Sequence, residues 1–286
     1  MRNLDNEKQI IDMAISGNQE ALETLLLSVQ DMVFNLSLRM LGTIPDAEDA
    51  TQEILIKVMT HLSSFRHESS LTTWTFRIAV NHLRNYQKGM FSKFPLSFEA
   101  YGEDIASGRE KDVPDMSGGV DDALLEKELK LSCTNVMLQC LDAESRCIYV
   151  FGTMFRLDSR IAAEILDITP EAYRQRLSRI RKKVAEFLKE YCGLSGTGIC
   201  SCKRRTNYAI VSHRIDPTNL SFQSMEECRY EDVTPFVDAM EQLDKLSQVF
   251  ADFPAYRSTE KIALWVRNLL TSKSFSTVLR AQEVER

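Results

Sequence analysis

Apolar residues between Asn6 and Lys88 recur at the spacing of one face of an α-helix and almost nowhere alternate as they would in a strand. The repeating positions include Leu22, Leu25, Leu26, Val29, Val33, Leu36 and Met40. Breaks at 42–46 and 65–70 separate the helical stretches. Asp46 is expected to cap the helix after the first break, and the last helix is expected to run from Leu71 to Lys88. The pattern predicts a helical domain over residues 1–90.

The next segment, residues 91–120, has the composition of a flexible linker, because Gly and Pro recur among Ser, Asp and Glu. Helical periodicity returns over residues 121–191 and breaks near 141–142 and 166–170. A second helical domain is therefore expected there.

The remainder, residues 192–286, opens with glycines and closely spaced cysteines, which favour a loop over a helix. Two helices are expected after it, at about 233–250 and 258–270. Ile262, Trp265 and Leu269 should share one face of the last helix. We found no internal repeats and no strand-rich section.

The composition restricts the class of protein to which this chain can belong. A chain of 286 residues with 44% hydrophobic and 27% charged positions is typical of a folded soluble protein with two or three compact units. No apolar run approaches the ~20 residues of a membrane-spanning helix, and the polar start lacks the apolar core of a signal peptide. We therefore expect a cytoplasmic protein without membrane insertion. In that compartment seven cysteines favour free thiols or a metal site over disulfides.

The net charge of −6 argues against indiscriminate coating of nucleic acid, yet six of the ten residues in 174–183 are basic and none is acidic. A short helix at 157–166 and a turn precede this cluster. Thr169 is suited to cap the next helix and Pro170 to its first position. Two short helices across a tight turn predict a helix-turn-helix. The expected fold class is thus all-α: two helical domains joined by a flexible linker, the second with a helix-turn-helix, plus a small, mostly helical C-terminal extension.

The second helix of this motif should bury an apolar stripe and present its polar face to a DNA major groove. The stripe consists of Tyr173, Leu177, Ile180, Val184 and Phe187. Base edges would be contacted from Glu171, Arg174 and Gln175, and phosphates from Arg179, Arg181, Lys182 and Lys183. The alternatives are a solvated amphipathic helix, or a calmodulin-type or membrane-surface helix. The capped turn favours DNA.

Two segments of the first domain also carry candidate chemistry. Asp46, Asp49 and Glu53 share one helix face, and without a histidine in that turn they predict a docking surface or a plain solvated face rather than a metal site. Residues 72–86 mix aromatic, Arg, Asn and hydroxyl side chains, a combination that suits unpaired bases. Within this segment Phe76 and Ile78 are expected to lie in the core.

The order of acidic helix, aromatic and basic helix, linker and basic helix-turn-helix resembles the extracytoplasmic-function sigma factors over about residues 9–190. The matching residues are Asp46-Ala47-Glu48-Asp49, Gln52-Glu53, Phe65-Arg66, Thr73-Trp74, Arg77-Ile78-Ala79, Asn81, Ile161-Ala162, Ile165-Leu166 and Arg176-Leu177. The resemblance implies a sigma region 2 domain at 1–90, a linker at 91–120 that threads through polymerase near new RNA, and a sigma region 4 domain at 121–191. It implies promoter-specific initiation with core RNA polymerase and promoter DNA as partners, a separate anti-sigma factor as a further candidate partner, and no catalysis.

The same resemblance implies roles for individual residues. Polymerase would contact Asp46, Glu48, Asp49, Gln52 and Glu53. The minus-ten element would contact Arg66, Thr73, Trp74, Arg77, Asn81, Arg84, Asn85 and Lys88. The minus-thirty-five element would contact Pro170, Glu171, Arg174, Gln175, Ser178, Arg179, Arg181 and Lys182.

The extension at 192–286 resembles tails with a Cys-x-Cys element in some sigma factors. Its thiols suit zinc or copper, which predicts a tail that senses metal or redox state, although sigma activity itself needs no cofactor. The candidate ligands are Cys192, Cys200 and Cys202, with Cys228 or His213 as the fourth. The alternative is that these cysteines are small buried residues of a compact tail, as we expect for Cys133, Cys140 and Cys147.

Two other classes of function compete with a sigma factor. A helix-turn-helix repressor or activator would bind duplex DNA as a dimer and would have no need for the acidic helix or the aromatic and basic helix. An enzyme with a catalytic cysteine cluster would need a nucleophile motif, a phosphate-binding glycine loop or a histidine set, and the sequence contains none of them.

Overall fold

The computed structural model describes residues 2–86, 88–109, 113–228 and 254–272, whose regular secondary structure is almost entirely helical, which confirms the all-α class. The predicted helix at 233–250 lies outside the described residues. The helices are α1 (Arg2–Ile15), α2 (Gln19–Leu41), α3 (Ile44–His61), α4 (Leu71–Arg84), α5 (Met90–Lys93), α6 (Phe98–Ala106), α7 (Asp122–Gln139), α8 (Ala143–Tyr149), α9 (Ser159–Leu166), α10 (Pro170–Tyr191), α11 (Cys202–Val211) and α12 (Glu260–Thr271).

The central element of the first domain is α2, which packs against α1, α3 and α4. It ends at Gly42, whose φ of +86° is a left-handed conformation that glycine adopts without a Cβ penalty. The prediction that Asp46 caps α3 is wrong, because the helix begins two residues earlier and the Thr43 hydroxyl accepts from the Asp46 N–H instead. The predicted last helix, α4, ends at Arg84 rather than Lys88.

The segment predicted as a linker contains two helices that the sequence analysis missed, α5 at its start and α6 within it. Phe98, Tyr101 and Ile105 of α6 are buried, and the Tyr101 ring stacks on Phe187 of α10 at 5.6 Å. Three apolar residues in a nine-residue helix give too little periodicity to stand out among the surrounding glycines and prolines.

The second domain consists of α7 to α10, with a five-residue π-helical turn, Val150–Met154, directly after α8. Gly152 lies where this turn meets α10. A Cβ there would lie 2.8 Å from the Tyr173 hydroxyl and closer still to Leu177, so the close approach requires glycine. One hydrophobic cluster runs through both domains, and Phe76 of α4 packs edge-to-face on Phe151 of the second domain at 5.2 Å.

The C-terminal extension packs on both domains. Helix α11 begins within the segment where a loop was expected. Ala209, Ile210 and Ile215 of this region join Leu125 and Leu129 in a second, smaller cluster. Glu227–Cys228 and Ala255–Tyr256 form a short antiparallel pair, β1 and β2.

The last helix, α12, packs on α2 and α3. Its buried residues are Ile262, Val266 and Leu270, so the predicted face of Ile262, Trp265 and Leu269 is rotated by about one position and only Ile262 is fully buried. No helix in the described part of the chain is long and apolar enough to cross a membrane.

Candidate functional site

The acidic helix α3 carries the five residues predicted to contact polymerase. The Asp46 carboxylate accepts from the Thr43 hydroxyl at 2.7 Å and from the Met90 N–H at 3.0 Å, so it joins the start of α3 to the start of α5. Asp49 is exposed and Gln52 is half-buried. This part of the predicted surface is open to a partner.

The other two acids of α3 are engaged within the chain. Glu48 is only 9% exposed, and its two oxygens accept from the Thr259 hydroxyl at 2.7 Å and from Lys261 Nζ at 2.6 Å. Glu53 pairs with Lys88 Nζ at 2.5 Å. Sequence periodicity gave no indication that residues of the extension lie on this helix.

The residues predicted to contact melted DNA fall into two groups. Asn81, Arg84, Asn85 and Lys88 are exposed along one side of α4 and its continuation, and Arg66 is exposed in the loop before α4. They form a polar surface that suits bases and phosphates.

Other predicted residues of this group have structural partners. The Thr73 side chain is buried and its hydroxyl hydrogen-bonds that of Ser70 at 2.9 Å, which helps to cap α4. Trp74 is half-buried, 5.4 Å from the Phe65 ring. Ile78 is partly buried against the core, and Phe76 is fully buried, as expected.

The helix α4 also contacts the helix-turn-helix. Arg77 donates to the Glu164 carboxylate of α9 at 2.8 Å. Beside this ion pair, Phe76 packs against Phe151 and Phe155. A residue predicted to bind the minus-ten element is therefore paired with a residue of the domain predicted to bind the minus-thirty-five element.

The predicted helix-turn-helix consists of α9, a three-residue turn and α10. Asp167 in the turn has a φ of 55°, a left-handed conformation that Asp tolerates better than most residues, and it ends α9. The Thr169 hydroxyl accepts from the Ala172 N–H at 3.2 Å, and Pro170 opens α10. These caps fix the angle at which the polar face of α10 is presented.

The polar face of α10 is largely open. Gln175, Ser178, Arg179 and Lys182 are exposed. The predicted apolar stripe of Tyr173, Leu177, Ile180, Val184 and Phe187 is buried.

Several charged residues near this face have partners within the chain, among them Lys182, which lies 4.0 Å from the Glu186 carboxylate. Glu171 accepts from Arg174 at 2.9 Å, an exposed pair that DNA can exchange. Arg181 is turned away from the open face and donates to the Gly152 carbonyl at 2.7 Å and to the Thr153 hydroxyl at 3.2 Å.

The cysteines of the extension lie on a tight loop. The Cys200 N–H donates to the Tyr191 carbonyl at 3.0 Å, which brings the loop back to the end of α10. Burial raises the pKa of Cys200 to about 12 and that of Cys202 to about 11, with further increases from neighbouring thiols that include Cys133 and Cys192. These thiols are therefore protonated at neutral pH.

The predicted metal set is not assembled. Among the described residues no three His, Cys, Asp or Glu side chains are arranged so that they could hold a metal ion. Cys228 lies in β1 opposite Ala255, and His213 is exposed after α11. Cys140 and Cys147 are buried as expected, whereas Cys133 is partly exposed and packs on the smaller cluster beside Cys202.

Helix α2 contains buried polar residues to which no role was assigned from the sequence. Asn35 and Arg39 are fully buried. Asn35 donates to the Tyr256 carbonyl at 2.7 Å and accepts from the Tyr256 N–H at 3.0 Å, while Arg39 donates to the Pro254 carbonyl at 2.6 Å. Asn35 and Arg39, one turn apart in a mostly apolar stretch of α2, were the available sequence signal that another segment covers this face.

Parts of this chain are similar to known proteins. The model of sigma-70 region 2 matches residues 25–89. The extracytoplasmic-function RNA polymerase sigma factor SigW of Bacillus subtilis is 26% identical over 185 residues, which are 64% of this chain and 97% of the relative. The chain is similar to the extracytoplasmic-function sigma factors over about two thirds of its length. These relatives are transcription initiation factors and not enzymes, and the similarity supports a role of the same kind, in transcription initiation without catalysis, for this chain.

A second curated relative and one solved structure align with a similar share of the chain. The sigma-E factor of Escherichia coli K12 is 27% identical over 183 residues, 62% of this chain and 92% of the relative. The solved structure of CnrH in complex with the cytosolic domain of CnrY aligns with 64% of this chain and 96% of that chain, at 21% identity and a TM-score of 0.42. Each of these alignments leaves about a third of this chain without a counterpart.

Proposed function

We propose that the chain is a sigma factor, that residues 1–90 and 121–191 are its region 2 and region 4 domains, that α3 binds core RNA polymerase, and that α4 and α10 contact the minus-ten and minus-thirty-five elements. The observation that carries this proposal is the exposed polar face of α10, presented by a capped turn and backed by a buried apolar stripe. Arg and Gln near the start of such a helix suit bidentate contacts with base edges. A separate anti-sigma protein stays a prediction.

The proposed sites require the two domains to separate. On B-form DNA the two elements lie roughly 80 Å apart, at about 3.4 Å per base pair. In this structure α4 and α9 touch through Arg77 and Glu164. Both elements of one promoter cannot be bound in that arrangement. On this proposal the arrangement of the two domains is a closed form, and the linker, including α6, would leave α10 when it opens.

The test is run-off transcription with purified core polymerase on promoters carrying each base at the minus-thirty-five positions. Loss of one good base contact costs about 1–3 kcal/mol, so Arg174→Ala and Gln175→Ala should each reduce transcripts about 5- to 150-fold and relax base preference at one position. Lys189→Ala, at the exposed far end of α10, is the matched control and should leave base preference unchanged.

Two results would overturn the proposal. One is a wild-type chain that fails to direct initiation from any promoter with core polymerase. The other is Arg174→Ala and Gln175→Ala variants that retain full transcript levels and base preference, because α10 would then not contact DNA bases.

For the extension we propose a response to metal or redox state through Cys192, Cys200 and Cys202. The hydrogen bond from the Cys200 N–H to the Tyr191 carbonyl returns the loop to the chain beside Cys192, and Cys133 and Cys202 pack on the same small cluster, so Cys133 is a further candidate for the fourth ligand beside Cys228 and His213. In the arrangement described above the thiols do not chelate, so binding of zinc or copper would require the loop to rearrange and the thiols to lose their protons.

The test of this second proposal is direct titration of the full chain with zinc and with copper(I). Metal retained by the wild type should be lost in a Cys200→Ser, Cys202→Ser variant and kept in a Cys147→Ser control, whose thiol is buried in the core. Equal metal content in all three chains would contradict the proposal.

A further inference from the structure

The described end of the extension, residues 254–272, lies across the first domain, and we call it the C-terminal strap. Its first part is held on α2 by the paired hydrogen bonds between Asn35 and the Tyr256 backbone. Its second part is α12, whose buried side chains Ile262, Val266 and Leu270 face α2 and α3. The strap therefore covers the junction of these two helices.

Charge complementarity fixes the position of the strap. Each of three basic residues meets an acid of the first domain: Arg257 on Asp31 at 3.0 Å, Lys261 on Glu48 at 2.6 Å and Arg267 on Glu23 at 3.1 Å. The two residues of each ion pair are more than 200 positions apart in the sequence. The pairs are therefore tertiary contacts that no local helix preference explains.

The contact at Glu48 has a functional consequence. One carboxylate oxygen accepts from Thr259 and the other from Lys261, so the side chain has little capacity left for another cation. A partner that uses Glu48 has to displace both strap residues.

We propose that the C-terminal strap is an internal competitor for the polymerase-binding face of α3. This inference rests on the proposed function of α3. While the strap is docked the chain binds polymerase weakly, because apparent affinity falls with the fraction of molecules in the competent state. The basic side chains of the strap are between 44% and 62% exposed, so the pairs are individually weak and a partner that binds α3 can exchange them.

The experiment measures the dissociation constant of fluorescently labelled full-length chain for core polymerase. Lys261→Glu places a negative charge beside Glu48 and should release the strap, tightening binding about tenfold. Lys203→Glu is the matched control: Lys203 pairs with Asp122 at 3.1 Å, outside the strap, and the same change of charge there should leave the dissociation constant unchanged.

A charge swap identifies the contact as intramolecular. Glu23→Arg and Arg267→Glu should each tighten binding about threefold, and the double variant, which restores an ion pair of opposite polarity, should return to the wild-type value. Neither residue is among the proposed polymerase contacts. Circular dichroism of each variant establishes that it is folded, and the swap tests the inference even where Lys261→Glu does not fold.

The outcomes separate the two proposals. If the wild type and all strap variants bind polymerase equally well, the strap does not compete and this inference is overturned while the proposed function stands. If no form of the chain binds polymerase, the proposed function itself is overturned, and the inference with it.

Discussion

Asn35→Ala should detach the first part of the strap from α2. The Asn35 side chain is fully buried and makes both an accepted and a donated hydrogen bond with the backbone of Tyr256, which is itself fully buried. Alanine removes both partners at once and keeps the helix, since alanine is the best helix former.

The expected loss of stability follows from the Tyr256 N–H and carbonyl, which both lose their hydrogen-bond partner. Leaving a buried donor or acceptor unsatisfied costs about 1–3 kcal/mol, so the loss of both bonds should lower the free energy of unfolding by about 2–6 kcal/mol. Such a loss is a large part of the ~5–15 kcal/mol that stabilises a typical protein.

Asn135 provides the matched control. It is 1% exposed and lies in a helix, but neither its amide nitrogen nor its side-chain oxygen has a hydrogen-bond partner among the described residues. Asn135→Ala removes an unsatisfied polar group rather than a satisfied one, and should change the free energy of unfolding by less than about 1 kcal/mol.

The assay is chemical denaturation of both variants, combined with hydrogen exchange at the Tyr256 amide. Exchange at this amide should accelerate in Asn35→Ala and stay unchanged in Asn135→Ala, because only the first variant removes its acceptor. Equal destabilisation by the two substitutions, or protection of Tyr256 that survives Asn35→Ala, would refute the reasoning.

Three further predictions concern other parts of the molecule. Gly152→Ala should lower the free energy of unfolding by about 1–3 kcal/mol through overpacking against α10, measured by denaturation, whereas Gly89→Ala, where a Cβ meets nothing closer than 3.6 Å, should be nearly neutral. Burial lowers the pKa of His82 below its ordinary 6.5, against the opposing effect of the neighbouring Glu53 carboxylate. The unfolded chain therefore takes up a proton at a higher pH than the folded chain, so the free energy of unfolding falls as pH drops below 6.5. His82→Gln should flatten this pH dependence of stability in denaturation curves. Glu164→Lys repels Arg77 across the contact of α4 with α9, and because that pair is 40–46% exposed it should speed hydrogen exchange in α4 by no more than about fivefold.

The helix-turn-helix could be predicted from the sequence because its signals are local. Thr169 and Pro170 adjoin the helix that they start, and the stripe from Tyr173 to Phe187 repeats within that one helix. The structure confirms the cap, the first helical position and the buried stripe. Short-range chemistry fixes these features, so they need no knowledge of the rest of the chain.

The contacts that close the molecule could not be predicted in the same way. Arg77 and Glu164 are 87 positions apart, and Asn35 and Tyr256 are 221 apart. Periodicity identifies the face of a helix that is buried but does not identify the segment that buries it. Glu48 shows the consequence, since the family resemblance implies a polymerase contact there and residues of the strap bury its side chain.

The two contacts that would have to break when the chain opens differ in kind. Between α4 and the second domain, Phe76, Phe151 and Phe155 are all fully buried, and exposing aromatic side chains of that size costs about 1.5–3 kcal/mol each. The strap combines ion pairs with partly exposed cations, worth about 0–1 kcal/mol each, with the buried hydrogen bonds of Asn35 and the buried side chains Tyr256, Ile262, Val266 and Leu270. The ion pairs are therefore the part of the strap that breaks at least cost, whereas full release of the strap costs about as much as separating the domains. We expect polymerase to compete first for Glu48, where Lys261 and Thr259 have to leave, and the energy of that binding to offset the cost of freeing the rest of the strap.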